Sequence, residues 1–284
     1  MNETKGYFSL KGKIWNLSNK EAKDFGVKRF LSFGIQTDKD NSLFVQVGEW
    51  KNTKLNIKLK AEGETEVTSL NEQEAIDRIR TSFKDGDSVF VNMRVEVDTY
   101  NKRLNYLVNA LYIENEPIDF NSADFKELNE LNTSAIITEK PSNRKVNVGL
   151  VTYKGDMLEL ELSLSDNDVN DYFEEKMKVG DLAKVTISVN RKPNYVEGEV
   201  TDAEPTRKTL KGKSAGGGSG KRVIDKDNPY TESLEIIDVD LDKTEKSKYT
   251  KEEVRVALED SISKKETPAT KEDIMPIDDG DLPF

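Results

Sequence analysis

The chain has no cysteine and no histidine among its 284 residues. Their absence excludes disulfides, thiolate and imidazole nucleophiles, and the usual zinc sites. No run approaches the ~18 apolar residues that would span a membrane. The first residues, Met1-Asn2-Glu3-Thr4-Lys5, carry no signal-peptide core. These absences predict a cytoplasmic protein without membrane contact, cofactor or metal. Aromatic residues are scarce, at 8% with only two tryptophans, so the places where they gather carry information.

Charge is plentiful: 34% of residues are charged and the net is −11. The acidity is uneven, however. Residues 1–115 carry 18 Lys and Arg against 17 Asp and Glu, a net of +1, whereas 130–205 carry a net of −6. Residues 206–222 hold six bases (Arg207, Lys208, Lys211, Lys213, Lys221, Arg222) and no acid, and 223–284 have a net of −9. Only the first segment and the short basic stretch can face phosphate without repulsion.

Residues 1–115 alternate apolar and polar with period two, the mark of strands with one buried face. Phe8, Leu10, Gly12 and Ile14 share one parity, followed by Leu31, Phe33 and Ile35, then by Leu43, Val45 and Val47, with Leu55, Ile57 and Leu59 as a candidate continuation. A helix is predicted from about Asn71 to Phe83, capped by Asn71 beside Glu74. Lys84-Asp85-Gly86-Asp87 turns into a strand of Val89, Val91, Met93, Val95 and Val97. A polar tip at Thr99 to Lys102 leads to a last strand, Arg103 to Ile113. Three strands, a helix and a hairpin is the order of an OB-fold, a five-stranded Greek-key barrel.

Residues 130–205 repeat that order: Val146, Val148 and Leu150, then Leu158 to Leu164, a helix from about Asp166 to Met177, and a strand with Val185, Ile187 and Val189. Lys178-Val179-Gly180-Asp181 echoes the first turn 94 residues later. Shared helix-capping chemistry explains that match alone; the repeated element order favours duplication. The fold class is therefore mostly β: two tandem OB-fold barrels, each with a helix between strands three and four. Beyond Pro205, residues 206–284 read as a basic, Gly-rich linker, flexible at Gly216-Gly217-Gly218-Ser219-Gly220, and a disordered acidic tail. Within it Thr250 and Glu253 form a capping-box pattern, consistent with a transient helix to Ile262. The Ala215-to-Lys221 run lacks a required Gly, a following Ser or Thr, and the strand-to-helix setting of a phosphate loop.

The polar parity of the first barrel carries Tyr7, Lys11, Lys13 and Trp15 on strand one, Lys28 and Phe30 on strand two, and Phe44, Gln46 and Trp50 on strand three. Lysines can track phosphates while rings stack on unpaired bases, at ~1–3 kcal/mol per base. Arg94, Tyr100, Lys102 and Arg103 join this surface from the last hairpin. Closing a barrel end or a subunit interface is the competing role for any one ring. In the second segment Glu159, Glu161 and Ser163 hold the equivalent outward positions, while Arg191, Lys192 and Tyr195 decorate its hairpin tip. That segment reads as an accessory binder or a dimerisation module.

The chain ends Asp278-Asp279-Gly280-Asp281-Leu282-Pro283-Phe284, a peptide ligand in form: an apolar pocket with a basic mouth can capture its ring and terminal carboxylate. This tip, with the stretch from Tyr7 to Ile113, resembles the bacterial single-stranded DNA-binding protein family, from which Gly280, the second barrel and its acidic face depart. The resemblance implies a non-enzymatic protein that coats single-stranded DNA without sequence preference. It also implies recruitment of replication, recombination and repair proteins through Asp278, Asp279, Asp281, Leu282, Pro283 and Phe284. Two barrels per chain suit a homodimer or a monomer, the latter as in phage proteins of this kind, and a phage origin would place it in a bacterial host's cytoplasm. The alternative is an OB-fold adaptor that does not itself bind DNA. A Mg²⁺ nuclease is a third reading, without a carboxylate cluster of metal-site spacing to support it.

Overall fold

A computed structural model describes residues 1–18, 23–25, 28–48, 56–197, 222–225 and 229–263. The first half runs β1 (Gly6–Trp15), β2 (Lys23–Phe25), β3 (Lys28–Asp38), β4 (Asn41–Val47), β5 (Asn56–Lys60), β6 (Thr68–Asn71), α1 (Glu72–Ser82), β7 (Ser88–Asp98) and β8 (Arg103–Ile113). The period-two pattern sends Phe8, Leu10, Leu31, Phe33, Val45, Val89 and Val91 inward, each with no exposed surface. Five strands close on themselves. β1 pairs antiparallel with β3 and β7, β3 with β4, and β7 with β8, and a parallel bridge from Gln46 to Leu107 joins β4 to β8. The result is a closed five-stranded barrel of the OB kind in a mostly β protein.

Ile57 and Leu59 are buried, but not as a continuation of the third strand. They lie on β5, which pairs parallel with β8 and antiparallel with β6. Helix α1 begins where its sequence signals it. The Asn71 side chain accepts from the Glu74 N–H (3.0 Å), the Glu74 carboxylate accepts from the Asn71 N–H (3.3 Å), and Ala75, Ile76 and Ile79 are buried.

The second half contains β9 (Asn129–Ile137), β10 (Lys145–Val151), β11 (Met157–Leu164), α2 (Asn167–Lys176), β12 (Leu182–Pro193), β13 (Tyr195–Glu197), β14 (Arg222–Ile224), β15 (Tyr230–Glu245) and α3 (Lys251–Ser263). Its pairings also run in a ring: β9 to β10, β10 to β11, β11 to β15 in parallel, β15 to β12, and β12 to β9. One member of that ring corrects the sequence reading. β15 lies within the stretch whose composition predicts disorder, and beyond the predicted boundary at 205. Its register along β12 slips at Thr186 to Ile187, and Ile236 is its single fully buried side chain among the described residues. Six acidic residues and a broken alternation hide the strand. Backbone pairing along Leu182 to Pro193 supplies what the side chains do not.

The helix from 251 is likewise docked, not transient. Its capping box forms, with the Glu253 N–H donating to Thr250 Oγ1 (3.2 Å) and the Thr250 N–H to the Glu253 carboxylate (2.7 Å). Val254 is buried with Ile136, Val151 and Met157, and the Met157 N–H donates to Ser261 Oγ (2.7 Å). The order thus extends through 230–263. Linker glycines 216–220 and the tip from Asp278 lie outside the described residues.

The two halves share one sheet. Along one edge of β1, Tyr7 to Leu10 pair with β9 and Lys13 to Trp15 pair with β3. Gly12 sits between the two partners, where a Cβ would come 2.2 Å from the Gln36 carbonyl oxygen. Further ties cross the junction. The Thr4 N–H donates to the Val151 carbonyl (3.0 Å), the Val151 N–H to Thr4 Oγ1 (2.7 Å), and the Arg191 N–H to Asn41 Oδ1 (2.8 Å).

The repeated turns match bond for bond. Gly86 and Gly180 have φ of +90° and +91°. Lys84 and Lys178 donate their N–H groups to the Asp87 and Asp181 carboxylates at 2.9 and 3.0 Å. Gly86 and Gly180 donate to Ile14 and Ile137 at 2.8 and 2.9 Å, and those residues donate back to Asp87 and Asp181 at 3.0 and 2.9 Å. The turns therefore do more than cap helices: each stitches its helix exit to the corresponding strand, β1 or β9.

Candidate nucleic-acid interface

Side chains of odd number on β1 and even number on β3 and β4 point away from the barrel core. Trp15 pairs in register with Gly34, and Gly34 with Phe44. The glycine leaves a gap between two rings. Trp15 lies over it, so that a Cβ at Gly34 would come 2.0 Å from indole Cε2, and the Trp15 and Phe44 rings meet at 5.2 Å with a 53° tilt. Phe30 is half-buried on β3, where a Cβ at Gly48 would come 2.7 Å from its ring.

The cations of this face are engaged to different degrees. Lys11 ion-pairs with Glu114 at 2.9 Å and lies 5.9 Å from the Phe90 ring centroid. Lys13 stands 5.2 Å over Phe120, on the segment that links the halves. Arg94 lies further round the barrel, opposite Tyr7 and near Glu96 at 3.5 Å. At the β7–β8 tip Tyr100 is 48% exposed. Lys102 is exposed with a φ of +54°, and Arg103 lies 3.6 Å from the Asp98 carboxylate. The Lys28 side chain, Trp50, and the tip residues Asp278, Asp279, Asp281, Leu282, Pro283 and Phe284 fall outside the described residues.

Phe44, Lys102 and Arg103 converge on a cleft of about 400 Å³ between the halves, together with Gln46, Tyr106 and Arg191. Arg191 is the residue that sequence reasoning misplaces. Read as decoration of a hairpin tip, it is in fact 7% exposed, because β12 continues to Pro193 against β15. Its guanidinium carbon lies 4.9 Å from the Phe44 ring centroid and 4.0 Å from that of Tyr230, and Nε donates to Glu232 at 3.1 Å. No local signal separates this arginine from Lys192, which is exposed; the contact depends on Tyr230, 39 residues along the chain in a strand that composition conceals. Beside it, burial, assisted by the charge of Glu232, pushes the Tyr106 phenol well above its ordinary pKa.

The acidic outward face of the second half is as the sequence predicts. Glu159 and Glu161 are exposed on β11, where Glu159 accepts from Thr138 Oγ1 (2.6 Å) and Glu161 pairs with Lys145 (2.5 Å). Among the described residues no cluster of three or more carboxylates could hold a metal ion, and no helix is long and apolar enough to cross a membrane.

Two solved structures are similar to this chain. A deletion mutant of the single-stranded DNA binding protein from Thermus aquaticus aligns at a TM-score of 0.44 and 11% identity, over 83% of this chain and 93% of that one. A replication protein A heterotrimer bound to ssDNA aligns at a TM-score of 0.18 and 14% identity, over 66% of this chain and 45% of that one. No curated protein matches the sequence. A sequence model of the YorF family matches residues 5–273, nearly the whole length, and the chain therefore belongs to the YorF family.

Proposed function

We propose that this protein binds single-stranded DNA without sequence specificity, is not an enzyme, and serves replication, recombination and repair. The observation that carries the reading is the outer face of the first barrel: Trp15 and Phe44 meeting over Gly34, flanked by Lys13 and leading to Lys102 and Arg103. Rings that can meet bases beside cations that can meet phosphates suit an unpaired strand. The net charge of +1 over residues 1–115 fits such a partner better than the global −11 does. The second half, read as a duplicated OB barrel on the strength of its matching turn, presents Glu159 and Glu161 outward and contributes little to phosphate binding.

The acidic tip, Asp278 to Phe284, is the ligand for partner proteins in this reading, and it follows α3 in the chain, whereas the glycine-rich stretch precedes β14. A phage protein acting in a bacterial cytoplasm fits the combination. The salt link between Lys11 and Glu114 favours the adaptor alternative, since it occupies a cation on the proposed face.

Fluorescence anisotropy of a labelled thymidine oligonucleotide at rising salt tests the proposal. Binding at low salt that weakens linearly in log–log form as salt rises is the expected result. No binding at low salt overturns it in favour of the adaptor. Deleting Leu282 to Phe284 should abolish capture of partner proteins and leave DNA affinity equal or higher.

A further inference from the structure

The cleft between the halves has features that a surface for phosphates alone does not require. Two of its lining residues each carry a buried polar atom without a hydrogen-bond partner among the described residues: Gln46 Oε1, an acceptor, and Arg191 Nη1, a donor. These residues are 6% and 7% exposed. A buried polar atom without a partner costs roughly 1–3 kcal/mol, so a pair of complementary ones in a single cleft marks a place where a ligand supplies the missing bonds. Apolar walls from Leu104, Leu160 and Leu234 enclose them.

The charge pattern narrows the ligand. Glu232, its side chain 76% exposed, already neutralises Arg191 through Nε, and Glu161 is exposed among the lining residues. A phosphate entering past them would meet two carboxylates. A flat, neutral ligand carrying both donors and acceptors would not be repelled, and every nucleobase has such an edge. Lys102, exposed among the lining residues, would hold its phosphate on the solvent side. The volume, about 400 Å³, lies in the range of small-ligand clefts, roughly 300–1,000 Å³, and suits one nucleotide rather than a run. Phe44 is shared by the cleft and the aromatic face, so a strand crossing that face arrives at the opening.

We infer that the cleft between the two halves takes one nucleobase turned out of the bound strand, its edge hydrogen-bonded to Gln46 and Arg191. This rests on the single-stranded DNA reading and gives the second half a part in it, through a residue that sits 4.9 Å from Phe44.

The test has two arms on the full chain. In the first, thymidine 5′-monophosphate is titrated while the side-chain amide signals of Gln46 are followed by NMR. In the second, affinity for a thymidine oligonucleotide is measured for Gln46→Leu and Arg191→Met across several salt concentrations. Expected are a shift of the Gln46 amide and about tenfold weaker oligonucleotide binding in each variant, with an unchanged salt slope because no phosphate contact is lost. Gln46→Leu is the decisive variant if Arg191→Met fails to fold. Unchanged affinity in Gln46→Leu together with an unmoved Gln46 amide would overturn the cleft assignment and leave strand binding intact. Failure of the wild type to bind the oligonucleotide would overturn both readings.

Discussion

Trp15 occupies the space that a side chain at Gly34 would fill, its indole Cε2 standing 2.0 Å from the position of the missing Cβ. A glycine in the middle of a central strand ordinarily weakens it; here it sets two rings at contact across three strands. Gly34→Ala should therefore lift Trp15 off the sheet and cost about 1–3 kcal/mol, the usual penalty of overpacking. Denaturant unfolding gives the stability, and tryptophan emission should shift to the red.

The two equivalent turns should respond unequally to the same change. Gly86 and Gly180 share a φ near +90°, a conformation that costs an L-residue roughly 1–3 kcal/mol. Around Gly86 a Cβ meets nothing within 4 Å, whereas at Gly180 it would come 1.9 Å from the Tyr249 carbonyl oxygen. Thermal melts should show Gly180→Ala to be clearly the more destabilising substitution. It should also loosen α3, whose approach the Gly180 carbonyl fixes by accepting from the Tyr249 N–H at 2.9 Å.

Tyr106 predicts an alkaline limit. Burial, assisted by Glu232, holds its folded-state pKa above the ordinary phenol value. The stability tied to its neutral form is present in full below the ordinary value of about 10 and is lost as pH rises above it toward the folded-state pKa. Unfolding free energy should fall more steeply between pH 9 and about pH 11 in the wild type than in Tyr106→Phe, which keeps the ring against Phe8 at 4.9 Å. Melts across that range check it.

The cations should differ in the salt dependence of DNA binding. Lys102 is exposed at the hairpin tip, whereas Lys11 is paired with Glu114. Lys102→Ala should lower the log–log salt slope by about one. Lys11→Ala should leave it nearly unchanged, because Glu114 has already displaced the phosphate that would be neutralised. A slope lowered equally by both would show the strand displacing Glu114 from Lys11, and no change in either would place it elsewhere on the barrel.

Much of this architecture is legible from alternation and punctuation. Phe8, Leu10 and Ile14 declare an inward parity, Asn71 with Glu74 declares a helix start, and Lys84 to Asp87 declares the exit that Lys178 to Asp181 repeats. Each signal is local, and the structure follows it. What cannot be read locally is any element stabilised by distant backbone partners. β15 looks like a solvated acidic segment because its anchoring is mainly the ladder to β12, and α3 looks marginal because the surface that buries Val254 is built from Ile136, Val151 and Met157, at least 97 residues earlier. Arg191 belongs with these cases. On the aromatic face, Lys11, Trp15 and Phe44 point outward as alternation requires, but the partners they acquire there, Glu114, Gly34 and Arg191, come from tertiary packing.

The double allegiance of β1 bears on how the protein can be divided. A fragment ending at residue 115 would keep its barrel pairings yet bare the Tyr7–Leu10 edge that β9 covers, leaving open backbone donors and acceptors on a strand of regular alternation. Such an edge recruits whatever strand it meets, including that of a second copy. The second half thus works as a cover for an adhesive seam, and severing it would leave the fragment prone to edge-to-edge pairing with a second copy.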